Sequence, residues 1–248
     1  MEMIETILVK NGLVFAFLVA GLLMYASYLV SLKFTRGKIP GAAIAITAGL
    51  MLAMLGDKKG IADIPAFSGM AFLGSSMLRD FTIVATALGA SFVEIRKNGV
   101  AGFLSLMLGL VVAFFTGGMI GYAMGFCDAV SFTTIGAGAC TFIVGPITGS
   151  ALGASSEVIA ISIATGVIKT IMVTILTPII AKRIGLDNPH TAMVYGGLIG
   201  TTSGVAAGLA ATDPKLIPYG ALTATFYTGL GCLLCPSLLY FLVKAVVG

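Results

Sequence analysis

The chain has 248 residues, of which 58% are hydrophobic and 10% are charged, and its mean hydropathy is +1.09. This composition lies far outside the range of soluble globular domains and predicts an all-α integral membrane protein with several spans. The formal net charge of +4 comes mostly from Lys and Arg in short loops, as membrane topology requires. It therefore gives no support for nucleic-acid binding.

The N-terminal part predicts two membrane spans. Residues 13–32 form an apolar run of about 20 residues, enough to cross a hydrocarbon core about 30 Å thick. Lys33, Arg36 and Lys38 follow directly, which places the first loop in the cytoplasm and the N-terminus outside. A second, shorter span covers residues 40–55.

The next apolar run, residues 64–92, contains Arg79 and Asp80 near its middle. A charge at that depth costs about 2.5–3.5 kcal/mol unless it pairs or reaches water. Two interpretations are open. The run consists of two short helices joined by an interfacial loop with solvated charges, or it is a broken helix in which Arg79 attracts an anion.

Three further apolar spans follow, over residues 100–125, 159–180 and 217–243. Lys182 and Arg183 close the second of these spans in the cytoplasm, the turn at 213–215 then lies outside, and Lys244 returns the C-terminus to the cytoplasm. Some of the segments between them must be re-entrant, and we expect about seven to nine crossings.

Two similar motifs interrupt apolar runs about 55 residues apart. They are Gly145-Pro146-Ile147-Thr148-Gly149-Ser150 and Gly200-Thr201-Thr202-Ser203-Gly204. Lipid cannot pair the backbone groups that a broken helix frees, so such breaks line polar cavities, and paired breaks in repeated segments indicate a secondary transporter's substrate site. We expect one polytopic domain, a transporter bundle with two broken or re-entrant helices, in which 13–125 form a scaffold and 129–248 bind substrate.

The N-terminus of a half-helix offers free amide donors and a partial positive charge, which suits an anion such as a small dicarboxylate. The predicted substrate-binding residues are Thr148, Gly149, Ser150, Thr201, Thr202, Ser203 and Gly204, with Lys169 and Arg79. The alternative is close helix packing, because the glycines of both motifs recur at four-residue spacing. Packing alone leaves the proline and the clustered hydroxyls unexplained.

Lys169 lies near the centre of its span, and an intramembrane lysine is by default a functional hypothesis. It either neutralises a carboxylate of the anion or pairs structurally with Glu157 or Asp80. Ser155, Ser156 and Glu157 offer hard oxygen ligands of the kind that suit small cations, so they are the candidate ligands for sodium as a coupling ion.

The other polar side chains are expected to be structural. Cys232 and Cys235 have the C-x-x-C spacing but lack a second pair of ligands, and His190 lies in a solvated loop. Tyr195, Tyr219 and Tyr227 are expected to be interfacial or packing aromatics and not ligands. The sequence contains no nucleophile elbow, Walker loop or His-rich cluster, so neither a catalytic site nor a cofactor is predicted.

Several stretches resemble the MadM family, the larger membrane subunit of the two-component malonate/sodium symporter. They are residues 69–90, 133–138, 145–159 and 185–236, and the most specific is the sixteen-residue stretch GTTSGVAAGLAATDPK from Gly200 to Lys215. Length and order match across essentially the whole chain. The last hundred residues are more loosely similar to the LrgB/CidB membrane proteins, through a Gly-Pro turn followed by a Gly-Thr-Ser-rich one.

The MadM resemblance implies sodium-coupled malonate uptake across the bacterial inner membrane, in a complex with a small partner subunit, MadL. It carries over no binding residue. Two other functions remain open. One is the membrane subunit of a sodium-pumping decarboxylase, in which Lys169, Glu157 or the Arg79-Asp80 pair would have to serve proton transfer. The other is an export or lysis-control protein of the LrgB/CidB kind.

Overall fold

The computed structural model describes residues 9–35, 41–56, 60–73 and 99–247, together with Val93 and Arg96. These residues form helices and turns and contain no strand, which confirms the all-α prediction. Four helices among them are long and apolar enough to cross a membrane: Gly12–Thr35, Gly99–Ala123, Ser156–Ile180 and Pro214–Val247. Arg79 and Asp80 lie outside the described residues. Both interpretations of the run at residues 64–92 therefore stay open.

Contacts divide the chain into two compact units, Met1–Ala85 and Thr86–Gly248. The first unit contains α1 (Gly12–Thr35), α2 (Gly41–Ala53) and α3 (Met70–Leu73), with short 3-10 turns between α2 and α3. Helix α1 packs against α2 and α3, and Gly69 lies so close to the carbonyl of Gly12 that a Cβ on Gly69 would overlap it. Most apolar side chains of α1 remain exposed, as expected of a helix that faces lipid.

The second unit contains eight helices in its described part. They are α4 (Gly99–Ala123), α5 (Ala129–Cys140), α6 (Val144–Leu152), α7 (Ser156–Ile180), α8 (Pro189–Ile199), α9 (Thr202–Ala210), α10 (Ile217–Leu234) and α11 (Tyr240–Val247). A π-helical turn, Cys235–Leu239, joins α10 to α11. Helix α4, which the sequence groups with the scaffold, lies in this unit and packs against α5 and α8. Its role as scaffold stays a prediction.

The order short helix, short helix, long helix occurs twice, as α5–α6–α7 and as α8–α9–α10. Asp128 and Asn188 cap the first helix of each set in the same way, each accepting a bond from the amide three residues on. The helix bounds therefore repeat at about 58–60 residues rather than at the 55 inferred from the motifs. The internal repeat is present, with a different register.

The first pair of short helices is a re-entrant hairpin. A Cβ on Gly145 would lie 2.9 Å from the Cα of Gly138, and a Cβ on Gly149 would lie 2.8 Å from Cγ2 of Thr134. The later residue of α6 thus contacts the earlier residue of α5, so the two helices are antiparallel. Helix α5 has 12 residues, or about 18 Å, so the chain reaches roughly mid-membrane and returns.

The second pair of short helices reverses in the same manner. Helix α8 runs antiparallel to α7, whereas α9 runs parallel to α7, so the chain turns back at residues 200–201. The contacts that establish these directions are Tyr195 with Thr177, Thr201 with Thr170, Gly204 with Thr170 and Gly208 with Thr177. The prediction of two broken or re-entrant helices is confirmed, and both are re-entrant.

The two hairpins enter from opposite ends of the bundle. The second begins and finishes at the end where Leu186, Leu209 and Leu216 share one buried cluster. The first belongs to the other end, where Phe132 near the start of α5 shares a cluster with Val243 of α11. The repeat is therefore inverted, which is the arrangement of many secondary transporters.

This arrangement corrects the predicted loop sides. The turn at 213–215 lies at the same end as Lys182 and Arg183, because α9 returns instead of crossing. Lys244 lies at the opposite end, because the last helix, Pro214–Val247, runs for 34 residues through the bundle. The sequence predicts that Lys244 lies on the same side of the membrane as Lys182 and Arg183, and that prediction is wrong.

Candidate functional site

The tips of the two hairpins meet at consecutive residues near the middle of α7. Nζ of Lys169 donates to the carbonyl oxygens of Ala139 and Cys140, at 2.9 and 3.0 Å, at the tip of the first hairpin. Oγ1 of Thr170 lies 2.7 Å from Oγ1 of Thr201, at the tip of the second. Helix α7 therefore carries one polar contact to each turn at mid-depth.

Lys169 caps the carbonyl end of α5. The last carbonyls of a helix have no intrahelical donor and carry a partial negative charge, so an ammonium group satisfies both needs. Its second neighbour is the ring of Tyr227, whose centroid lies 5.4 Å from Nζ. The alternative pairing with Glu157 is not seen, because Glu157 is exposed about 18 Å away along the same helix. Asp80 lies outside the described residues.

Tyr227 is a residue of this region for which the sequence predicts an interfacial or packing role. Its ring is fully buried and lies against Gly200, where a Cβ would overlap it, and its hydroxyl donates to the carbonyl of Gly109 at 3.2 Å. The ring thus lies near both the ammonium of Lys169 and the turn of the second hairpin. Lys169 and Tyr227 differ in position by about the repeat offset, which is the signal that could have found it.

The turn of the first hairpin satisfies its own donors. Oγ1 of Thr141 accepts from the amides of Ile143 and Val144, at 3.3 and 3.1 Å, and the carbonyl of Thr141 accepts from Val144 and Gly145. Pro146 has no amide proton, and a proline is tolerated in a first turn. The break therefore lies at 141–143, not at the predicted 145–150, and α6 already begins at Val144.

The residues of the first motif consequently lie within α6 instead of at its open end. Thr148 is 0% exposed, and its hydroxyl has no hydrogen-bond partner in the described part of the chain. Gly149 packs against Thr134, as the helix-packing alternative proposed, and Ser150 is exposed. Among the described residues, the hydroxyl of Thr148 is therefore the side-chain group of this motif that is buried without a hydrogen bond.

The turn of the second hairpin contains several backbone groups that no described residue satisfies. Gly200 adopts a left-handed conformation, with φ of +79°, and Thr201 directs its hydroxyl to Thr170 instead of capping α9. Over the ranges described, the amides of residues 201–204 donate to no protein acceptor, and the carbonyls of residues 197–200 accept from no protein donor. An unsatisfied group costs about 1–3 kcal/mol where it is buried. Gly197, Gly200, Thr201 and Gly204 are buried, whereas Leu198 and Ser203 are exposed. The buried groups of this turn therefore favour polar ligands.

The remaining predicted residues are distributed as follows. At the second turn, Thr202 is half-buried, Ser203 is exposed and Gly204 packs on Thr170. The predicted sodium ligands Ser155, Ser156 and Glu157 are exposed at the start of α7, and the hydroxyl of Ser155 accepts from the amide of Val158. These three residues lie well away from both turns, and Arg79 lies outside the described residues.

A cleft of about 880 Å³ between α4, α5, α7 and α8 leads to Lys169. Its walls are mainly apolar, and Lys169, Ala139, Leu198 and Ile199 are among the residues that line it. The ends of both half-helices α5 and α8 therefore border one cleft, with an ammonium group between them.

A family model described as the malonate/sodium symporter MadM subunit matches residues 4–247. No curated protein and no solved structure matches the chain. The match covers nearly the whole sequence and agrees with the apolar helices. The chain is therefore a member of the malonate/sodium symporter MadM family.

Proposed function

We propose that this chain is the substrate-binding membrane subunit of a sodium-coupled malonate transporter, in the bacterial inner membrane, that works with the small partner subunit MadL. It is a transporter subunit without catalytic residues or an organic cofactor. Sodium is its coupling ion. The family match supports this assignment, and the unsatisfied amides at the second hairpin turn carry the placement of the substrate.

The amides of residues 201–204 suit one carboxylate of malonate. A carboxylate accepts bonds only, and each bond to a charged acceptor contributes about 1.5–3 kcal/mol, enough together to offset several kcal/mol of desolvation. The hydroxyls of Thr202 and Ser203 extend this donor set. The other amide-bearing turn has no comparable capacity, because Thr141 already accepts from its donors.

Lys169 supplies positive charge for the dianion. An ammonium group has three donors, and two of these bond to Ala139 and Cys140, which leaves one toward the cleft. No carboxylate in the described ranges bonds to Lys169. A carboxylate of the substrate provides the missing counter-charge.

Thr148, Gly149, Ser150 and Arg79 stay predicted substrate ligands, and Ser155, Ser156 and Glu157 stay predicted sodium ligands. Because the hairpins enter from opposite ends, each tip can cover the bound anion from its own side. We propose alternating access in which the two tips open in turn. Movement of a dianion against about 100 mV costs about 4.6 kcal/mol, which co-transported cations remove.

The test is uptake of radiolabelled malonate by the chain purified with its partner subunit and reconstituted in liposomes. We expect accumulation with an inward sodium gradient, none with choline in place of sodium, and competition by unlabelled malonate in excess of that by monocarboxylates. Equal accumulation in choline would end the coupling proposal.

The placement of the substrate has its own variant pair. Thr202→Pro removes one amide donor at the first position of α9, where proline is tolerated because Thr201 is extended, with ψ of 106°. Thr202→Val keeps the amide and removes only the hydroxyl. We expect Thr202→Pro to weaken malonate binding by roughly 10- to 150-fold, and Thr202→Val to weaken it less. Equal affinities for the two variants would mean that the amide is not a ligand.

A further inference from the structure

The carbonyl ends of α5 and α8 are equivalent in the inverted repeat, but in the described part of the chain a cation lies only at the end of α5. At α5, the ammonium of Lys169 lies on the carbonyls of Ala139 and Cys140. At α8, the carbonyls of residues 197–200 accept no hydrogen bond from any described residue. The described residues thus provide a positive charge at one half-helix and none at the other.

The repeat also explains why the described residues do not meet this need. The position equivalent to Lys169 is Tyr227, whose uncharged ring packs against Gly200. The carbonyl end of a helix carries a partial charge of roughly −0.5, and several carbonyl oxygens with no donor are hard ligands that suit a small cation. A half-helix end of this kind is a known way to coordinate a transported cation.

We propose that the carbonyl oxygens of residues 197–200 bind a monovalent cation, which on the proposed function is the coupling sodium ion. The equivalent helix end, that of α5, already holds one positive charge, the ammonium of Lys169. This supports a cation at the end of α8. The site differs from the residues 155–157 suggested by sequence, which are exposed at the far end of α7.

Helix α4 closes one side of this site. The carbonyls of Gly197 and Leu198 face Gly109, and a Cβ there would lie 2.6 Å from the oxygen of Gly197 and closer still to that of Leu198. A methyl group at position 109 must therefore displace these carbonyls. Gly102 on the same helix has nothing within 4 Å of its Cβ position, so it provides a matched control.

The experiment measures thermal stability in detergent without malonate, with the full chain carrying a fluorescent tag and its partner subunit present. Sodium, potassium and choline chlorides are compared at equal ionic strength. We expect sodium to raise the Tm of the wild type by about 5 °C over choline, and Gly102→Ala to keep this shift. Gly109→Ala should lose most of it. A wild type that responds equally to all three salts, or two glycine variants with equal sodium shifts, would overturn the site.

A second pair of variants covers the case in which Gly109→Ala does not fold. Leu198 is 39% exposed at the cleft, so a longer side chain has room there. A lysine in the last turn of a helix can bond the terminal carbonyls. We expect Leu198→Lys to abolish the sodium-dependent shift and Leu198→Met to retain it, and a full sodium shift in Leu198→Lys would contradict the proposal. Because no malonate is present, failure here leaves the uptake result unaffected.

Discussion

Replacement of Lys169 by methionine tests the capping of the first hairpin. The change keeps the length of the side chain and removes two hydrogen bonds, at 2.9 and 3.0 Å, from the carbonyls of Ala139 and Cys140. Each buried carbonyl left without a donor costs about 1–3 kcal/mol. Because methionine also avoids the desolvation of a buried ammonium, we take the lower end, about 2 kcal/mol in total. The hairpin tip should open about 30-fold more often.

The assay uses Cys140, which is 0% exposed at this tip, in a chain whose other three cysteines are replaced by alanine. Maleimide labelling of the purified complex reports the opening, and the chain is separated from its partner on a denaturing gel. We expect Lys169→Met to label Cys140 about 30-fold faster than the parent. Lys215→Met, at an exposed lysine, serves as the control and should label at the parental rate. If Lys169→Met labels no faster than this control, Lys169 does not stabilise the turn.

Two further predictions concern backbone conformation and topology. Gly200→Ala should lower Tm by several degrees more than Gly153→Ala. Both glycines have a left-handed φ, +79° and +73°, but only at Gly200 would a methyl group overlap the ring of Tyr227. Equal losses of Tm would mean that the ring does not lie against Gly200. Single cysteines at Lys182 and Lys215 should label from the same side of intact membrane vesicles and a cysteine at Lys244 from the other, and labelling of all three from one side would contradict the inverted repeat.

The sequence predicted the helical membrane fold because its signals are long and additive. Apolar runs such as 13–32 and 159–180 reach the length that a bilayer requires, and they correspond to helices Gly12–Thr35 and Ser156–Ile180. The existence of two breaks was also predictable, since clustered Gly and hydroxyl residues seldom interrupt a lipid-facing helix without reason.

The positions within the first break were not predictable from composition. Gly145 and Pro146 look like helix breakers, but the hydroxyl of Thr141 caps the chain earlier, and the proline falls in the first turn where its missing amide proton costs nothing. The offset between the repeats followed the same error, because Gly145 was aligned with Gly200 although Gly200 is the turn itself.

The contacts of Lys169 depended on folding in three dimensions. An intramembrane lysine suggested a charged partner, and its partners among the described residues are two backbone carbonyls and an aromatic ring from segments that are distant in sequence. A residue of any type can supply a backbone carbonyl, so the sequence does not reveal which residues are such ligands. For the same reason, the unsatisfied carbonyls of residues 197–200 could be recognised only once the bonds of the turn were known.

The central claim is that one turn, at residues 200–201, holds malonate on its amide side and sodium on its carbonyl side. Charges of opposite sign about 6 Å apart at an effective dielectric constant near 20 interact by about 3 kcal/mol, or roughly a hundredfold in affinity. Thermodynamic linkage requires sodium and malonate to strengthen each other's binding by the same factor. Calorimetric titration of the purified complex measures both factors directly. We predict equal enhancements of about a hundredfold with sodium relative to choline, and malonate affinity that is the same in both salts would contradict the account.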